Sequence, residues 1–191
     1  MRVGDIDDSF NRQLAILSSS NADSIVFNLG LPSRKVLSAG VSNKPLKLYG
    51  NKVMKKIRKH GYMIEELKDL TKAVRNPIAV FKNKSEEGSF SILTSLKTKN
   101  GNFLVAIRTG VDADCSFNIV STVFGKGNEK IIDWINTGYL RYVDKEKALS
   151  YLLHQSAPIA AALNREELFR ATNIVRHFRN NQISPLVNVV G

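Results

Sequence analysis

Phe10, Leu14 and Leu17 recur at helical spacing between residues 8 and 20 and are followed by Ser18-Ser19-Ser20-Asn21. This predicts a short helix ending in a polar linker. A second short helix is expected after Leu31-Pro32-Ser33, with Ser33 as N-cap, Gly40 just past the end, and Val36, Leu37 and Ala39 turned inward. From Asn51 to Lys59, Val53, Met54 and Ile57 lie on one side and lysines elsewhere, and His60-Gly61 reads as the C-terminal stop. A fourth helix is expected from Ile64 to Val74, with Ile64, Leu67, Leu70 or Thr71, and Val74 as its inner stripe; Pro77 prevents its continuation.

The period then changes from 3.6 to 2. Ile78 to Lys82, Phe90 to Thr98, Phe103 to Thr109 and Ser116 to Phe124 are rich in β-branched and aromatic residues. They are separated by Glu86-Glu87-Gly88, Asn100-Gly101 and Asp112-Ala113-Asp114, of which Asn100-Gly101 is a strong hairpin signal. Four strands joined by such short connections cannot be parallel, so an antiparallel meander is expected, one face packed on the preceding helices and the other open. Beyond Gly125-Lys126-Gly127-Asn128 the helical period returns around Trp134, ending at Gly138. Tyr139 to Val143 reads as a short strand, Lys145 to His154 as a helix, and Asn164 caps a last helix over 165 to 180. The apolar tail from Gln182 to Gly191 lacks alternation and suits an edge strand or a dock for a neighbouring chain. The expected class is α+β: N-terminal helices packed on an antiparallel, roughly four-stranded sheet, with additional C-terminal helices. The expected organisation is an N-terminal helical extension over 1–24, an α+β domain over 25–155, and a C-terminal helix and tail over 156–191 packed on the same domain.

Composition adds a partner class. The 191 residues include 28 Lys and Arg against 17 Asp and Glu, a net charge of +11. No acidic residue lies between Asp23 and Glu65, whereas Arg34, Lys35, Lys44, Lys47, Lys52, Lys55, Lys56, Arg58 and Lys59 supply nine positive charges. A field this concentrated draws polyanions, chiefly nucleic acid, by phosphate neutralisation and counterion release; the alternative is a solvated basic face. No apolar run approaches a membrane span and no secretory-type apolar block begins the chain, so a cytoplasmic protein without a membrane partner is expected. The single Cys115 and three scattered histidines offer neither a disulfide nor a zinc site by spacing, and no metal or cofactor is expected.

Several residues could carry chemistry. His60 ends the basic stretch at a helix terminus and can transfer protons near neutral pH, or it is a surface cap. Lys52, Lys55, Lys56, Arg58 and Lys59 beside it are the expected nucleic-acid contacts. Within Asn118 to Lys126, the hydroxyls of Ser121 and Thr122 either bond inside the sheet or face a substrate, and the glycines around Lys126 permit close approach of an anion. Arg108 clamps a phosphate or pairs with Asp112. Asp112 with Asp114, and Asp5 with Asp7 and Asp8, read as solvated loop carboxylates, and His154 and His177 as packing or surface residues of helices.

The ordered runs Phe27-Asn28-Leu29-Gly30-Leu31-Pro32, Val36-Leu37-Ser38-Ala39-Gly40, Lys59-His60-Gly61, Asn76-Pro77-Ile78-Ala79-Val80-Phe81, Ser121-Thr122-Val123-Phe124-Gly125-Lys126, Trp134-Ile135 and Gly138-Tyr139-Leu140-Arg141-Tyr142 resemble the MuF C-terminal domain of polyvalent proteins from phages and conjugative elements. That family is grouped with the barnase, EndoU, colicin and RelE-like nucleases. The resemblance implies an RNA-cleaving surface on the open sheet face, and hence a metal-independent endoribonuclease or toxin with RNA as partner and an immunity or antitoxin protein as a second one. A non-catalytic nucleic-acid-binding or interaction module is the alternative. It further implies His60 as general base or acid, Lys126 as phosphate stabiliser, Ser121 or Thr122 as orienting hydroxyls, and Tyr142 as a motif residue of the site. Arg108 joins them from the residue pattern alone. The chain departs from the family in carrying Phe124 where tyrosine is usual.

Overall fold

The computed structural model describes residues 3–83, 88–98, 101–109, 116–126, 131, 133–134, 137–144, 146–148 and 150–151. The chain divides into two compact units, Met1–Asp144 and Lys145–Gly191. In the first, α1 (Val3–Ala15), β1 (Val26–Gly30), α2 (Arg34–Leu37), β2 (Leu46–Tyr49), α3 (Gly50–His60), a 3-10 turn (Ile64–Leu67) and α4 (Leu70–Arg75) precede β3 (Ala79–Lys82), β4 (Ser89–Thr98), β5 (Gly101–Arg108), β6 (Asn118–Lys126) and β7 (Leu140–Val143). Residues 146–148 and 150–151 of the second unit are helical. The helix expected over 165 to 180, the tail, Cys115, Asp112, Asp114, His154 and His177 lie outside the described residues.

The α+β class holds, but the sheet has seven strands rather than four, in the order β1-β2-β6-β5-β4-β3-β7. The expected meander forms its centre, with β3 to β6 antiparallel in turn. The short strand β7 adds antiparallel to β3, while β2 pairs parallel with β6 and antiparallel with β1. The parallel pair is possible because the chain between β2 and β6 runs through α3 and three strands, ample length for a crossover. Asn118 locks that pair: wholly buried, it donates its amide to the Ser42 and Lys44 carbonyls at 2.9 and 3.0 Å and accepts from the Ser42 hydroxyl at 2.6 Å.

Three helical expectations need correction. α1 begins at Val3, so Asp5, Asp7 and Asp8 are helical rather than loop residues, and Asp7 is buried against Arg75, whose Nη2 lies 2.7 Å from Oδ2. Ser33 precedes α2 through its backbone carbonyl, which accepts the Val36 and Leu37 N–H groups, and its buried hydroxyl caps nothing. The helix expected over Ile64–Val74 breaks at Lys68-Asp69, where Asp69 takes φ 62°. Asn11 of α1 holds it there, accepting the Asp69 N–H at 3.2 Å, and Lys72 pairs with the Asp69 carboxylate at 2.9 Å. Aspartate is among the few side chains that accept the left-handed conformation.

One sheet face buries Phe27, Leu48, Phe90, Phe103 and Val105 against Phe10, Leu14, Val53, Leu70 and Val74 of the helical layer. The second face is not uniformly open as expected. Phe81, Leu93, Leu104 and Leu140 are buried on it, and the Trp134 ring lies over Phe81 with centroids 5.4 Å apart. Over β2, β6 and the end of β5, Lys47, Tyr49, Ile119, Thr122 and Ala106 are only half-buried and Arg108 is exposed.

Candidate nucleic-acid interface

The helix α3 follows β2 without a loop. Its first residue, Gly50, has no room for a side chain, since a Cβ there would fall 2.7 Å from the Ala22 carbonyl oxygen. Val53 enters the core, and the helix stops at Gly61, whose φ of 62° is the left-handed cap and whose N–H returns to the Ile57 carbonyl at 2.8 Å. Tyr62 fixes the exit. Its buried ring meets Phe103 edge-on at 5.1 Å, its hydroxyl donates to the Val123 carbonyl at 3.2 Å, and burial, helped by the Glu66 charge, pushes its ionisation upward. The orientation of α3 over β6 is thus set from both ends.

That orientation leaves Lys52, Lys55, Lys56 and Lys59 at i, i+3, i+4 and i+7, which is one face of a helix. Lys52, Lys55 and Lys59 are exposed and Lys56 is half-buried among them. Burial, then the charges of Lys59, Lys55 and Lys52, lowers the Lys56 ammonium below its ordinary value. Arg58, one turn on from Lys55, donates to the Ser19 hydroxyl at 3.3 Å. His60, half-buried in the last turn, is also held below the ordinary histidine value, first by burial and then by Lys56 and Lys59. Like charges at helical i+3 and i+4 spacing cost about 0.2–0.5 kcal/mol per pair. Arg58 and Lys59 recover part of this at the negative end of the helix dipole.

The remaining candidates lie elsewhere. Thr122 pairs across the sheet with Ala106, and Val120 with Ile107, which makes Ser121 the extra residue of a bulge. Its hydroxyl bonds within the sheet, to the Ala106 carbonyl at 3.3 Å, while the Thr122 hydroxyl is buried without a partner. Ala106 and Arg108 alternate with the core residues Val105 and Ile107, so Arg108 and Thr122 belong to the second face, across the sheet from α3 and His60. Lys126 pairs with Asn102 at the far end of the β5–β6 ladder. Tyr142, on β7, is four strand spacings from β6, about 19 Å. His60, Arg108, Thr122 and Tyr142 therefore do not share one surface.

Tyr142 belongs to a different cluster, which the sequence pattern did not reveal. The Lys35 ammonium donates to Asn76 at 2.8 Å and to Asp144 at 3.0 Å; the Asp144 hydrogen bond, opposed by partial burial and assisted by Tyr142, raises its pKa. One of the nine charges of the basic stretch is thereby committed to holding α2 against the ends of α4 and β7. Only the spacing of residues far apart in the chain, invisible before folding, brings these groups together.

Among the described residues no three His, Cys, Asp or Glu side chains gather to hold a metal ion, and no helix is long and apolar enough to cross a membrane. No curated protein and no solved structure matches the chain. A family model, the phage MuF C-terminal domain, matches residues 51–150, from the start of α3 through β7 and over half of the chain; the runs Phe27–Pro32 and Val36–Gly40 precede it. The chain belongs to the phage MuF C-terminal domain family.

Proposed function

We propose that this protein binds RNA through the lysine face of α3. The observation that carries the reading is the run Lys52, Lys55, Lys56, Lys59 on one helical face, in a stretch from Ser24 to Ile64 that contains no carboxylate to neutralise it. A helix selected only for stability or solubility intersperses acidic partners at i+4. This one pays an electrostatic cost that a phosphate backbone relieves, because each neutralised phosphate also releases condensed counterions. The test is direct binding of labelled RNA by the intact chain. Binding should be lost in the quadruple variant Lys52→Gln/Lys55→Gln/Lys56→Gln/Lys59→Gln, and unchanged affinity in that variant refutes the reading.

A second reading, cleavage of that RNA, is favoured by His60. An imidazole held below its ordinary pKa is neutral near pH 7 and can accept a proton. Beside the lysine face it would take the proton of a ribose 2′-hydroxyl, whose oxygen attacks the adjacent phosphorus. The 5′-oxygen then leaves as an alcohol by taking a proton from solvent water, and a 2′,3′-cyclic phosphate remains. Lys56 and Lys59, rather than Arg108 or Tyr142, stand beside His60 to stabilise the added negative charge. Cyclic-phosphate product formed in EDTA, and abolished by His60→Ala with binding intact, is the expected result; undiminished cleavage by that variant removes His60 from the chemistry.

A further inference from the structure

The half of the second sheet face whose described residues are half-buried or exposed has a composition of its own. Lys47 pairs with Ile119, and Ile119 with Arg108, so the two cations flank one isoleucine in a single row across β2, β6 and β5. Their backbones are two strand spacings apart, about 10 Å, within which both long side chains can reach neighbouring phosphates. Tyr49 follows Lys47 by two residues and therefore stands on the same face, half-buried. Val26, its cross-strand partner, is 39% exposed. Asn28, Ala106, Ile119 and Thr122, which share this half among the described residues, carry no charge.

We propose that this half-face is a binding surface for single-stranded RNA, with Lys47 and Arg108 contacting phosphates and Tyr49 stacking on an unpaired base. The proposal rests on the reading of RNA as ligand and adds a contact surface separate from α3. A paired duplex keeps its base faces stacked on each other, so an aromatic ring standing on a sheet finds a partner only in an unpaired strand. The flanking cations then track the backbone on either side of the stacked base.

The experiment is fluorescence anisotropy of the intact chain with labelled oligouridylate and, in parallel, a labelled RNA duplex. Lys47→Gln/Arg108→Gln should weaken oligouridylate binding about tenfold or more, whereas the charge-preserving Lys47→Arg/Arg108→Lys should bind as wild type. Tyr49→Leu should weaken oligouridylate about tenfold and leave the duplex unaffected. Wild-type affinity in the double glutamine variant, or equal losses for both RNAs in Tyr49→Leu, overturns the proposal. The α3 quadruple variant separates the two surfaces. If it loses binding while Lys47→Gln/Arg108→Gln does not, the sheet-face proposal fails and the α3 reading stands; the reverse pattern refutes α3 and supports the sheet face. A wild-type chain that binds neither RNA refutes both.

Discussion

His60 and Asp7 carry opposite kinds of perturbation. Burial and the Lys56 and Lys59 charges disfavour the imidazolium, so in an NMR titration His60 should change charge below the unperturbed 6.5, and Lys56→Gln/Lys59→Gln should raise its pKa part of the way back. The unfolded chain then binds the proton more readily than the folded one. The contribution of His60 to stability is present above pH 6.5 and is lost as pH falls from that value through the lower folded-state pKa. For Asp7, burial pushes the carboxyl up, but the Arg75 hydrogen bonds and the Arg75 and Lys72 charges outweigh it and hold the pKa below the ordinary 3.8. Its stabilisation is present above that value and lost as pH falls below it. Asp7→Asn leaves the Arg75 guanidinium, only 17% exposed, without its counter-charge. A loss of about 3 kcal/mol in urea unfolding is expected, with a weaker dependence on pH below 4. From the sequence Asp7 looked like one of three solvated acids, because its partner lies 68 residues away.

At the scale of elements, the strands from β3 to β7 were legible, the four-residue β3 and β7 among them, and β1 and β2 were not. β4, β5 and β6 carry enough alternation to declare themselves, and α3 has both an apolar side and a glycine stop. β1 and β2 have five and four residues and lie among short helical signals, whereas the equally short β3 and β7 are set off by Pro77 and Gly138. Asp69 left no sign in the sequence because what breaks the helix there is Asn11, held on another element. The covering of the second sheet face over Phe81 was likewise unreadable, since a strand apolar on both faces does not say what lies on the second. Asn118 is the element-scale test: Asn118→Ala strips the Ser42 and Lys44 carbonyls of their shared donor and should cost about 2 kcal/mol. Hydrogen exchange should then accelerate in β1 and β2 well before β4 and β5. Uniform acceleration across the sheet contradicts the account of Asn118 as the lock on β2.

For the whole molecule, the sequence located the positive charge and the fold distributes it. Of the nine cations between Arg34 and Lys59, Lys35 is bound to Asp144, Lys47 stands on the second face, and four lysines line α3 across the sheet from it. The sequence-derived group of His60, Arg108, Ser121, Thr122, Lys126 and Tyr142 is divided by the same layering. Residue type nominated them, but face and strand order, set by the bulge at Ser121 and the position of β7, decide which can meet one ligand. The central claim is that RNA phosphates lie along α3, and the salt dependence of RNA affinity tests it most directly. Plotted as log K against log salt concentration, the wild-type slope should exceed that of the Lys52→Gln/Lys55→Gln/Lys56→Gln/Lys59→Gln variant by about 3, from roughly 0.7 for each of four phosphates on a single strand. Equal slopes for the two proteins would contradict it.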